Sequence, residues 1–349
     1  MWAQAAAELG LVLSGPVLHG RLEGCEVRAQ SVSDPAAMGS SRINVTCSFD
    51  LPMDLGLFLR MAHRSAVPGT GGRRPPERIG DLEIDTRYAI QATEHQRARA
   101  LLAGELRAFL LRPPDGLEVQ ILDHNLSLES PAGASNAAAL VRAVRAALRC
   151  AHLVDQARGA VPAASRVKHH ASAWHAFARS HALRAHFAPP CVWGSVHGTE
   201  VVATACRKVT ELDGFGPPSI TYPTRVRVSF PQFLGLRLAI RPQTGSDRVA
   251  KLFGRQDVRL EDRDFDNAFL VQTKAPERVR ELLEPAVRAS LLAVAASGAS
   301  VTADDEAIEA ELGDLPPDPA IVPTIVEQLA TSVEAMGRRA GLRGRAPYR

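Results

Sequence analysis

Three acids on alternate positions, Asp81, Glu83 and Asp85, recur as Asp262, Asp264 and Asp266. Carboxylates gathered on one side of a chain are the hard oxygen ligands that Ca²⁺ and Mg²⁺ take. Counted from Asp81 or Asp262, no glycine stands sixth and no acid twelfth, which excludes an EF-hand loop. In an extended segment the alternation puts all three acids on one solvated face or along a charged sheet edge. Asp85 and Asp266, three residues ahead of Tyr88 and Phe269, suit an Asx turn.

Imidazoles crowd one stretch: His169, His170, His175, His181 and His186. A helical zinc site needs ligands three or four residues apart, and the intervals of five, six and eleven here bring no such pair together. A polar helix flank with a local pH response is the expectation. The cysteines, Cys25, Cys47, Cys150, Cys191 and Cys206, are odd in number and lack any C-x-x-C spacing, so free buried thiols are expected rather than a disulfide framework or zinc site. Ser165 and Lys168 have the S-x-x-K interval of an acyl-enzyme, but neither S-D-N nor K-T-G follows. G-x-S-x-G, a phosphate loop with its lysine and a dinucleotide fingerprint are all missing, and Gly69 to Gly72 reads only as a pliant loop. No catalytic, cofactor-binding or metal residue is therefore assigned, and no cofactor is expected.

Arginine is the most persistent polar feature. Arg97, Arg99 and Arg107 recur as Arg278, Arg280 and Arg288. Guanidinium forks recognise carboxylates and phosphates, and on a helix they also cover an exposed flank or pair with a neighbouring acidic segment. Arg97, Arg99, Arg278 and Arg280 are the candidate partner-binding residues. With 41 basic and 38 acidic residues, a net charge of +3, the chain makes no general electrostatic case for nucleic acid. An acidic protein is the partner this chemistry suits. Arg338, Arg339, Arg343, Arg345 and Arg349 read as a solvated basic tail.

What must position these residues is a repeat. Ile79 to Leu111 and Leu260 to Leu292 align without a gap and agree at 11 of 33 positions. Twin segments flank them in the same order: Pro16 to Val27 matches Pro190 to Val201, with the proline, both glycines and the Glu-Val pair in place. A period of about half the chain means a duplicated domain rather than a solenoid. Residues 1–160 read as one α+β repeat, 161–168 as a linker, 169–337 as the second repeat and 338–349 as a flexible tail.

Within each repeat the periodicity predicts a helix, an antiparallel set of strands, a helix, a hairpin and a closing helix. Trp2 to Leu13 is the first helix, with a twin from Trp174. Glycines four apart at Gly20 and Gly24 suggest a strand with a bulge or a close backbone approach. Ile43, Val45, Cys47 and Phe49 alternate with Arg42, Asn44, Thr46 and Ser48, as in a half-buried strand. Leu55-Gly56-Leu57 and Leu234-Gly235-Leu236 read as further strands, and Pro68 to Pro76 as a loop. The repeat stretch itself reads as an extended piece with Leu82, Ile84, Tyr88 and Ile90 inward, then a helix from Glu94 to Leu111. The hairpins turn at Asp123 to Asn125 and Asp304 to Glu306. A closing helix runs from a Ser135 cap to Gly159 in the first repeat, and its twin ends at Gly337. The fold class is thus α+β, two tandem copies of one domain, each an antiparallel sheet with helices packed on one face.

The longest uncharged apolar run, Ala289 to Val301, falls short of the ~20 residues a membrane span needs. The first residues lack a basic start and carry Glu8, unlike a signal peptide. The expectation is a soluble, cytoplasmic, non-catalytic interaction or scaffold protein. The alternative is an enzyme or small-ligand binder with a site in the cleft between the halves.

Overall fold

The computed structural model describes residues 2–33, 41–62, 78–130, 136–210, 219–243 and 258–341. The chain divides into two compact units, the first Met1–Ala164 with His186–Pro189, the second Ser165–Ala185 with Pro190–Arg349. Each contains a sheet of eight strands.

In the first unit, α1 (Trp2–Leu9) precedes β1 (Val12–Ser14), β2 (Val17–Leu22), β3 (Cys25–Ser33), β4 (Ser41–Ser48) and β5 (Phe58–Met61). Then come α2 (Leu82–Arg87), β6 (Tyr88–Gln91), α3 (His95–Leu101), α4 (Gly104–Leu111), β7 (Glu118–Leu122), β8 (Asn125–Glu129) and α5 (Ala137–Arg158). The strand order is β1-β2-β3-β4-β8-β7-β5-β6, and the pairs are antiparallel. Strand β4 alternates as its sequence does, with Ile43, Val45 and Cys47 buried. The apolar stripe of α5, Leu140, Val144, Ala147, Ala151 and Val154, closes the core over this face. Burial pushes the Cys47 thiol up to about 12 and raises Cys150 as well, and Cys25, Cys47 and Cys150 are free thiols.

In the second half of the chain, α6 (Lys168–Ser180) leads into β9 (Arg184–Phe187), whose last two residues fall in the first unit, then β10 (Pro190–Val196), β11 (Thr199–Ala205), a short β12 (Lys208–Thr210) and β13 (Ser219–Thr221) pair, β14 (Thr224–Ser229) and β15 (Ala239–Pro242). There follow α7 (Arg263–Ala268), β16 (Phe269–Gln272), α8 (Pro276–Leu282), α9 (Pro285–Ala296), β17 (Ser300–Ala303), β18 (Ala307–Leu312) and α10 (Ile321–Arg339). Read from β9, the sheet runs β9-β10-β11-β14-β18-β17-β15-β16. Position for position this is the strand order of the first sheet. The core again lies under the last helix, whose Val322, Ile325, Val326, Leu329, Val333 and Met336 are buried. The fold is mixed α+β with two sheet-containing halves.

One detail recurs in both units. A Cβ on Gly20 would stand 2.8 Å from Leu11 Cδ2, and one on Gly194 would stand 2.8 Å from Leu183 Cδ2. Both glycines also hold φ near +150° (156° and 148°), so any larger residue meets a clash as well as strain. The close backbone approach expected from the glycine pattern is real in each unit.

Several local readings are corrected. The first helix stops at Leu9, and Val12 to Leu13 belong to a strand. Leu55 to Leu57 and Leu234 to Leu236 lie outside any strand. Asp81 to Asp85 and Asp262 to Asp266 are not extended: they form the start of α2 and α7, and Leu82 points to solvent. The helix expected from Glu94 to Leu111 breaks at Leu102 and Ala103 into α3 and α4. Within the segment read as the linker, Val161, Ala164 and Val167 are buried. The last helix runs on to Arg339. The Ser135 cap, the Pro68 to Pro76 loop and tail residues Arg343, Arg345 and Arg349 lie outside the described residues; the cap of α5 is Asn136, which accepts from Ala139 N at 2.7 Å.

Candidate functional site

The repeated acids hold helix starts. Asp81 caps α2, its Oδ1 accepting from Ile84 N at 3.3 Å while Oδ2 takes Arg107 Nε at 2.6 Å. Glu83 binds the same guanidinium. Asp262 does likewise for α7, from Phe265 N at 3.2 Å and Arg288 Nε at 2.9 Å. The hydrogen bond from Arg107 leads in holding the Asp81 carboxyl below its ordinary value, whereas for Asp262 the Phe265 N–H leads and Arg288 follows. Asp85 closes the preceding turn, accepting from Ile79 N at 3.0 Å and Gly80 N at 3.1 Å, and Asp266 accepts from Leu260 N at 3.1 Å. The Asx turn expected ahead of Tyr88 and Phe269 does not form: Asp85 and Asp266 lie within the helices and reach back five or six residues to the segment before them.

A second carboxylate pair was not singled out by its sequence. Asp123 accepts from Leu55, Gly56 and Leu57 N at 3.1, 2.7 and 2.9 Å. Asp305 accepts from Leu236, Arg237 and Leu238 N at 3.1, 2.8 and 3.0 Å. Each takes the N–H groups of three consecutive residues and so replaces a strand partner.

The four candidate arginines separate. Arg97 is 3% exposed and donates to three carbonyls: Nε to Pro162 O at 2.9 Å, Nη1 to Asp54 O at 3.0 Å and Nη2 to Phe187 O at 2.7 Å. It is a structural staple of the first unit and stands on no outer face, which corrects its assignment to partner binding. Its counterpart Arg278 is exposed, as is Arg99, which lies along Gly80. Arg280 is exposed too, and pairs with Glu277 one turn away at 2.5 Å.

The histidine stretch does not converge on one point, and among the described residues no group of three or more His, Cys, Asp or Glu is arranged to hold a metal ion. His186 is buried with Nδ1 on Pro189 O at 2.7 Å, and burial foremost, then the Arg158 charge, lowers its pKa. His181 has instead been brought to Glu327, together with His197, which the sequence did not mark. Ser180 Oγ lies 2.9 Å from His181 Nδ1, so the order Ser, His, Glu resembles a nucleophilic triad. The hydroxyl, however, donates to Phe177 O at 2.9 Å, at the carbonyl end of α6. The negative pole of a helix repels the oxyanion that acyl transfer would build there. Ser165 and Lys168 lie in the turn before α6 and at its first residue, both exposed.

A shallow groove of about 720 Å³ lies on the first unit. Leu82, Thr86, Ala108 and Leu111 line it, with Glu83, Arg87, Arg107 and Arg112 around them. Arg87 is held by Leu111 O and Arg107 by Asp81 and Glu83, so the arginines sit on fixed supports. A hollow of about 440 Å³ adjoins it through Ala108 and Arg112 and brings Arg149 to the same side. Arg112 and Arg149 are exposed and make no ion pair among the described residues. Leu82 is 80% exposed on a helix whose Ile84 is fully buried. In the second unit the aligned positions carry Arg263 for Leu82, Ala268 for Arg87 and Ala293 for Arg112. No helix among the described residues is long and apolar enough to cross a membrane. Comparison of the chain with protein-family models, with curated proteins and with solved structures gives no match.

Proposed function

We propose that the chain is a non-catalytic interaction protein, built by tandem duplication of one α+β domain, in which the first unit carries the contact surface. Its occupant is an acidic segment of a partner protein with at least one apolar side chain. The apolar residue seats against Leu82 and Leu111, and its carboxylates meet Arg112 and Arg149. The observation that carries this reading is Leu82, 80% exposed in a groove ringed by guanidinium groups, where the aligned residue of the other unit is Arg263. An apolar anchor with a charged rim is the division of labour found in protein interfaces, the anchor giving affinity and the rim giving rate and specificity. Arg99, Arg278 and Arg280 act at longer range, by steering an acidic partner. The chain works in the cytoplasm.

The test places a photo-crosslinking residue at position 82 and, separately, at position 263 in the native host. The expected adduct forms at 82 only, maps by mass spectrometry to an acidic stretch of one protein, and disappears when Arg112 and Arg149 are both changed to Glu. Equal adducts at 263, or survival of the adduct after charge reversal, overturns the reading.

A further inference from the structure

Arg97 and Arg278 stand at one place in the repeat, and the backbone around them agrees. Thr93 N donates to Leu55 O at 2.8 Å, and Lys274 N to Leu236 O at 3.1 Å. The residues on either side of the accepting leucine hold left-handed φ in both units, 58° at Asp54 and at Gly56, 69° at Gly235 and 50° at Arg237. What differs is the cover. In the first unit the unit's own residues close this face: Pro162 O and Phe187 O take the Arg97 guanidinium, and Val161, Ala164 and Ala188 are buried. In the second unit Arg278 is exposed and holds no hydrogen bond or ion pair among the described residues. Phe233, at the position of Pro52 and two residues from Gly235, is 66% exposed. A guanidinium with five idle donors and a phenylalanine in water lack the carbonyls and the apolar cover that the first unit supplies.

The complement is found on the first unit. Val12 is 57% exposed and Leu13 37%, and they make up most of β1, a strand exposed at all three residues. Among the described strands β1 pairs with β2 alone, so one side of its backbone is unpaired. Strand β1 holds the edge of the first sheet that β9 holds in the second, and the last residue of β9, Phe187, is the one that gives its carbonyl to Arg97. An edge strand with apolar side chains and open carbonyls offers the same two things to another surface.

We propose that the face of the second unit around Phe233 and Arg278 receives strand β1 of a second copy of this chain, so that copies join head to tail. Phe233 packs on Val12 and Leu13, and the Arg278 guanidinium donates to carbonyls of the incoming strand, as Arg97 does to Phe187. Val12, Leu13 and Ser14 bring no charge, so the only ion that loses water is answered by backbone oxygens. The contact joins two different patches, and each bound copy keeps one patch free for the next unless the rotation closes a ring. Its size puts it among weak, transient interfaces, with a dissociation constant of about 10–100 µM. The groove at Leu82 takes no part, so this inference and the proposed partner contact stand or fall separately.

Sedimentation velocity on the full chain, from about 1 to about 200 µM, tests it. The mass of the unaltered chain is expected to rise with concentration. Phe233→Ser, and separately Val12→Ser with Leu13→Ser, should each weaken self-association about tenfold or more. Mixing is decisive, because the Phe233→Ser chain keeps its β1 and the Val12→Ser, Leu13→Ser chain keeps its Phe233. The mixture should recover one contact and form pairs containing one of each, and nothing longer. An unaltered chain that stays monomeric throughout overturns the proposal, and so does a mixture that stays monomeric or either variant assembling alone as the unaltered chain does. The altered side chains are exposed, and circular dichroism checks that each variant is folded. A variant that fails is replaced by Arg278→Glu on the receiving face or Val12→Lys on the strand, each with the same expected loss.

Discussion

Arg97 and Arg278 occupy the same position in the two units, on helices of equal length, and do opposite things. Arg97 is buried against the carbonyls of Pro162, Asp54 and Phe187; Arg278 stands in solvent. The helix and the side chain are alike, so the difference comes from what the rest of the chain brings within reach. The segments holding Pro162 and Phe187 both belong to the first unit. They supply acceptors that turn a surface cation into a staple. A guanidinium with five donors suits such a place because three carbonyls in different directions can each be answered.

The shared carboxylates differ in degree rather than in kind. Asp305 is 7% exposed while Asp123 is only half-buried, although each accepts from three consecutive N–H groups. Removing either leaves those donors unmet, but water reaches the Asp123 site more easily. At about 1–3 kcal/mol for each buried unmet group, Asp305→Ala should cost roughly 3–5 kcal/mol and Asp123→Ala about 2 kcal/mol. Urea unfolding followed by circular dichroism reads this, with each change displacing the transition of its own unit. Equal costs would mean that burial does not set the price of these nests.

The arginine comparison is sharpened next. Arg97→Ala is expected to destabilise by about 2–4 kcal/mol, because two buried carbonyls and one part-buried carbonyl lose a charged donor. Arg278→Ala should change stability by less than about 0.5 kcal/mol. Arg97→Lys should fail to restore the loss, since a point ammonium cannot face three directions at once. Similar values for Arg97→Ala and Arg278→Ala would show that the exposed arginine has structural work as well.

How far the sequence could be read follows from the range of each interaction. Strand β4 and helix α5 were legible because alternation and the 3.6-residue period are written into consecutive residues. The acids misled, because Asp81, Glu83 and Asp85 fit a helix cap with an acidic first turn as well as they fit an alternating strand. The signal that decides was present in Arg107, which returns as Arg288 to pair with the cap, but it lies 26 residues away. Leu55 to Leu57 looked like a strand because its partner is a side chain more than 60 residues distant. The burial of Arg97 left no trace at all, since its acceptors are backbone carbonyls and those have no residue type. His197 and Glu327, 130 residues apart, are likewise silent as a pair.

The two caps respond to acid in the same direction and to salt differently. Both carboxyls are held below their ordinary values, so their contributions are complete above the unfolded-state value and are lost as pH falls through the folded-state one. Asp81→Ala should lose about 1 kcal/mol at neutral pH, a deficit that shrinks below about pH 4 as the reference protein loses the same interaction. The lead cause is the Arg107 guanidinium for Asp81 and a backbone N–H for Asp262. Molar salt should therefore raise the Asp81 titration midpoint more than that of Asp262, as carboxyl carbon shifts would record. The reverse order would break the distinction.

The smallest expected effect on stability bears most directly on function. Leu82→Arg gives the first unit the residue that the second has at Arg263, and Arg263→Leu does the converse. Leu82 is 80% exposed, so hardly any of its apolar surface leaves water on folding, and its helix is anchored by Ile84 beneath and by the Asp81 cap. Both exchanges should shift stability by less than about 0.5 kcal/mol. Their effects on partner capture should differ. Leu82→Arg removes the apolar anchor and adds charge that an acidic segment would tolerate, so any loss of binding must come from the missing contact. Arg263→Leu creates an exposed leucine without the neighbouring Arg87 and Arg112, and it should capture nothing new. If Leu82→Arg instead lowers stability by more than about 1 kcal/mol, the leucine packs in solution against its own unit. The groove then closes over it, and the contact surface belongs elsewhere on the molecule.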